Sequence, residues 1–89
     1  MKGGDMDGYM DKQNDKLPKF LKRRAAACYE SAQVEQDNGN GKAVNAWLLA
    51  AVAYGDAYLA FVEEGNSQEV KDLIEQGSQH SKNAARMYQ

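Results

Sequence analysis

Eighty-nine residues with a formal net charge of -2, one cysteine and one histidine set narrow bounds. A chain of this length makes one small domain and buries a modest share of its surface, so its stability is low or is shared with a partner subunit. The lone cysteine excludes an internal disulfide, no Cys/His cluster has metal-ligand spacing, and nothing calls for a cofactor.

Residues 1–15 combine three glycines with four aspartates and lack periodic apolar positions. They read as a flexible arm ahead of a single bundle domain at 16–89, with Met6, Tyr9 and Met10 free to dock on the body. The start is polar and acidic where a secretory leader is apolar, and a single thiol fits a reducing interior, so a cytoplasmic setting is expected. Aligned on Gly8, Asp5, Asp7, Met10 and Asp11 fit a calcium loop. Gly3 stands at the first ligand position, however, and Asn14 where a bidentate glutamate belongs, so calcium binding is not expected.

The first helix is expected from near Pro18, a residue tolerated in a first turn, to about Gln36. Leu17, Phe20, Leu21, Ala25, Cys28, Ala32 and Val34 share one broad side, with Lys19, Lys22, Arg23, Glu30 and Gln33 opposite. Lys16 to Arg24 holds five cations and no acid, whereas residues 25–89 hold four cations and nine acids. Cations near a helix N-terminus oppose its macrodipole. Lys16, Lys19, Lys22, Arg23 and Arg24 therefore suggest an external anionic partner, either nucleic acid or an acidic protein surface. No aromatic interleaving or DNA-binding motif accompanies them.

"DNGNG" (Asp37 to Gly41) is a turn. "GNGKA" within and after it precedes a helix, but Gln36 and Ala43 stand where a P-loop needs glycine and Ser/Thr, so a nucleotide site is not expected.

The second helix is expected from about Lys42 to Glu64. On a wheel of ~100° per residue, Ala43, Ala46, Ala50, Ala53, Ala57 and Ala60 form one seam. Leu48, Val52, Gly55, Leu59 and Val62 form another on the opposite side. Trp47, Tyr54, Tyr58 and Phe61 fill one gap between them, and Asn45, Asp56 and Glu63 fill the other. Asp56 thus falls on a wet strip, and Gly55 on a seam where another backbone can come close. Asn45 and Gly55-Asp56 interrupt the apolar run, which reads as a core helix and not a membrane span. The alanine seam permits close approach to Ala25, Cys28 and Ala32. A helix apolar on three sides needs cover on three sides, and the chain supplies only two neighbours. A homodimer is expected, with the second helix or its aromatic gap in the interface.

The third helix follows "EEGNS", with Asn66 as N-cap and Glu69 completing a capping box. Val70, Leu73, Ile74, Gly77, Ser81, Ala84 and Tyr88 keep one phase, which favours a continuous helix, although Gly77-Ser78 could stop it and cap a short fourth. His80 is the only histidine, and no motif joins it to Ser78, Ser81 or Cys28. The expected architecture is an all-α, three-helix antiparallel bundle without catalytic function, serving as a protein-interaction and dimerisation module.

"AWLLAAVAYGDAYLAF" followed by a polar loop and "QHSKNAARMY" resembles the helical core of HEPN-type proteins, small α-bundles that are often dimeric and tied to RNA biology and toxin–antitoxin systems. Gly55-Asp56 and Gln79-His80 match the family's small-Asp and polar-His pairs, and the likeness covers about half the chain. Catalytic members carry an arginine five to seven positions before the histidine. Leu73, Ile74 and Glu75 occupy those positions here. The resemblance therefore implies an accessory member without that nuclease activity.

Overall fold

The computed structural model describes residues 2–87, with side chains from Lys16 to Met87. Three α-helices follow in order: α1 (Lys2–Asp37), α2 (Gly41–Glu64) and α3 (Gln68–Ala85). The chain is an all-α three-helix bundle. α2 is its middle element and packs against both α1 and α3, which share no comparable interface with each other. Connections this short between helices that pack along their length reverse the chain each time, so successive helices run antiparallel.

The core is built from small residues. Ala43, Ala50 and Ala57 are fully buried on α2, with Ala46, Ala53 and Ala60 close behind. Ala50, Ala57 and Ala60 cluster with Leu21 and Cys28 of α1 and Val70 of α3, and Ala32 and Ala84 are buried as well. A seam without long side chains lets helix backbones approach closely, which offsets the small apolar area each alanine contributes. Leu17, Ala25, Leu73 and Ile74 close the edges of the core, half-buried.

The connections are set by local chemistry. At the first, Gly39 takes a positive φ of 79°. Asn40 caps α2 by accepting from the Ala43 N–H at 3.4 Å, and its Nδ2 donates to the Met87 carbonyl at 2.9 Å. One asparagine thus caps α2 and ties the end of α3 to the α1–α2 turn. At the second, Gly65, also at φ 79°, donates its N–H to the Phe61 carbonyl. Ser67 then caps α3 by accepting from the Val70 N–H at 3.3 Å.

Several expectations change. The first helix extends upstream of Pro18, which lies inside it. Proline's fixed φ suits a helix, and its cost is the missing N–H and a clash one turn back. The side chains of residues 1–15, including the expected arm and its calcium-loop likeness, lie outside the described residues. The buried side of α1 is narrower than the sequence suggests, since Phe20 is 45% and Val34 56% exposed. The α3 cap is Ser67 and not Asn66, which moves Glu69 to the second helical position and removes the capping box. Val70, whose N–H the cap accepts from, is fully buried. α3 runs unbroken through Gly77-Ser78, and no fourth helix forms among the described residues.

Candidate interaction surface

The aromatic strip of α2 lies largely within the chain. Tyr54 is buried, while Trp47, Tyr58 and Phe61 are half-buried against the core. The Tyr54 ring joins all three helices. The Arg24 guanidinium of α1 lies over it, 5.2 Å from its centroid. On α3, Gly77 leaves the room the ring needs: a Cβ there would stand 2.8 Å from Tyr54 Cε2. Lys22 Nζ similarly sits 5.3 Å from the Tyr58 centroid.

These two contacts divide the basic cluster. Arg24 and Lys22 are engaged by aromatic faces, each contact contributing about 0.5–1 kcal/mol where exposed. Lys16, Lys19 and Arg23 are exposed, as is Lys22 despite its contact, while Arg24 is half-buried. The dipole argument for an external anion no longer holds, because α1 begins at Lys2 and places all five cations well inside the helix.

The exposed surface of α2 is the other seam. Leu48, Val52, Leu59 and Val62 are 37%, 59%, 59% and 64% exposed, and neighbouring Leu49 is 53% exposed. Gly55 lies among them, and a Cβ added there would meet nothing within 4 Å. The close backbone approach expected at Gly55 is therefore absent among the described residues. Asp56 is exposed, as its strip requires. Asn45, Leu48, Leu49 and Val52 line a shallow depression on this face. By length and composition alone α2 would also cross a bilayer.

His80 is half-buried. The Ser81 hydroxyl donates to the Ser78 carbonyl at 2.9 Å on its own helix. Burial pushes the Cys28 thiol above its ordinary range, with the Arg24 charge partly opposing the shift, so the sulfur stays a protonated core group. No grouping of three or more His, Cys, Asp or Glu suits a metal ion among the described residues.

Glu35 was not singled out by its residue type, yet it is 2% exposed, and its Oε2 has no hydrogen-bond partner among the described residues. The signal was its position, three residues after Ala32 and seven after Cys28, in phase with the buried side of α1. The Trp47 indole N–H is likewise buried without an acceptor.

Compared with protein-family models, curated proteins and solved structures, the chain matches none.

Proposed function

We propose that the chain is a non-catalytic helical interaction module that works as a homodimer, with the leucine–valine face of α2 as its docking surface. The observation that carries this reading is the run of five large aliphatic side chains, Leu48, Leu49, Val52, Leu59 and Val62, left uncovered on one side of the central helix. Scattered exposed leucines are ordinary on a monomer, but a contiguous strip along one helix is the form an interface takes. The HEPN-like resemblance accords with a dimerising accessory protein and adds toxin–antitoxin or RNA-related systems as its setting.

Sedimentation velocity tests the reading. The chain is expected to sediment as a dimer at tens of micromolar, and Leu59→Glu, which places a charge in the strip, as a folded monomer. A wild-type monomer at that concentration would refute it.

Nucleic-acid binding through the start of the basic segment is the competing reading, supported by the exposure of Lys16, Lys19 and Arg23. Three exposed cations neutralise about three phosphates, giving a salt slope on single strands of about -2, well below that of a dedicated binder. Lys19→Glu with Arg23→Glu abolishes any RNA or DNA retention if this reading is right, and leaves dimerisation unchanged on the leading one.

A further inference from the structure

We propose that α2 pairs antiparallel with α2 of a second copy, the two helices crossing beside Gly55 with Lys42 of each set against Glu63 of the other. This rests on the dimer reading above and specifies its geometry.

The spacing of the outer face favours this arrangement. From Asn45 to Val62 the outward positions step by three, four, three, four and three, a pattern that reads the same in both directions. Antiparallel pairing about its midpoint sets Leu48 against Leu59 of the second copy, and Val52 against its Gly55. Glycine inside a helix is less favourable than alanine. At Gly55 no neighbour among the described residues uses the space released. A valine from a second copy fits that notch and brings the two backbones close.

Charge favours the same direction. Lys42, Leu49, Asp56 and Glu63 recur at intervals of seven along one flank of the strip. Antiparallel pairing places Lys42 at each end beside Glu63 of the other copy and sets Asp56 opposite Leu49. Parallel pairing would instead set this flank against Val44, Ala51 and Tyr58 of the other copy, leaving Lys42 and Glu63 without charged partners. The helix macrodipoles also favour the antiparallel arrangement.

The same charges disfavour a lipid surface as the occupant. Asp56 lies near the middle of α2, where a spanning helix would hold its carboxylate deep in hydrocarbon, an unfavourable place for a charge. An interfacial helix binds anionic lipid through basic flanks, and this flank carries Asp56 and Glu63.

The test uses the full chain with Cys28→Ser and spin labels at Gly41→Cys or Asp56→Cys, measuring the distance between labels on the two copies. With a rise of ~1.5 Å per residue and helices 8–10 Å apart, labels at 41 are expected about 35–40 Å apart and labels at 56 within about 20 Å. Short distances at both sites would indicate parallel pairing and overturn the proposal. A dimer showing neither pattern would place the interface elsewhere, overturning this geometry while leaving the dimer reading intact. A monomer would remove both readings, and a monomer that binds phosphatidylglycerol vesicles would name the membrane as the occupant. Gly55→Leu provides a second readout: it raises helix propensity, so the monomer keeps its fold, while filling the notch weakens association at least tenfold. Tighter association in that variant would contradict the crossing point.

Discussion

The two seams of α2 have the same apolar spacing and opposite fates. The inner one is built from alanine and buried to the last residue, whereas the outer one is built from leucine and valine and largely exposed. Hydrophobicity alone would bury the outer seam, since a leucine contributes more transfer free energy than an alanine. The inner seam is favoured because close helix approach multiplies contacts along the backbone, and because Leu21, Cys28 and Val70 supply the missing bulk from the neighbours. Side-chain size, more than polarity, therefore distinguishes the face packed within the chain from the face offered outward.

The contrast can be broken most severely at the ring that bridges the inner seam to both neighbours. Tyr54→Ala removes a buried aromatic that Arg24 covers and Gly77 makes room for, and should destabilise the chain by about 3–5 kcal/mol in urea denaturation. Ala57→Leu forces bulk into a fully buried alanine position and should cost about 1–3 kcal/mol or more. Gly77→Ala pushes a methyl group against the Tyr54 ring. A cost of about 1–3 kcal/mol is expected, against the stabilisation that a Gly-to-Ala change normally gives an open helix. Glu35→Met should act in the opposite direction, raising stability by about 1 kcal/mol, because it replaces a carboxylate oxygen buried without a partner by an apolar group of similar size. Leu59→Ala on the outer seam is the smallest, within about 0.5 kcal/mol for the isolated monomer. Its effect should appear instead in the dimer dissociation constant. A Leu59→Ala monomer as destabilised as Ala57→Leu would mean the two seams are not distinct.

Much of the fold was legible because it follows from periodicity. The three helices, the turn at Gly39, the alanine seam, its partners Cys28 and Ala32, and the wet position of Asp56 all follow from steps of three and four and from turn residues. What was not legible depended on choices between near-equal options. Asn66 and Ser67 are both good caps, and residue type does not decide between them. The wheel showed two apolar seams and an aromatic gap on α2, but two neighbouring helices cannot cover all three. Their choice depends on backbone separation, which no single-helix pattern contains. The same limit hid the division of the basic cluster, because the engagement of Arg24 and Lys22 with Tyr54 and Tyr58 is a contact between helices. Glu35 was overlooked because a carboxylate is read as exposed by type, although its phase on α1 was that of a core residue.

The central claim is that the outer face of α2 is covered in the native assembly. Hydroxyl-radical footprinting across a dilution series tests it directly, with Tyr29, 53% exposed on α1, as the internal reference. Labelling of Leu48, Leu59 and Val62 should fall relative to Tyr29 as concentration rises and the dimer fills. Uniform labelling of those three side chains at every concentration, at the rate expected of their exposure in the single chain, would contradict it.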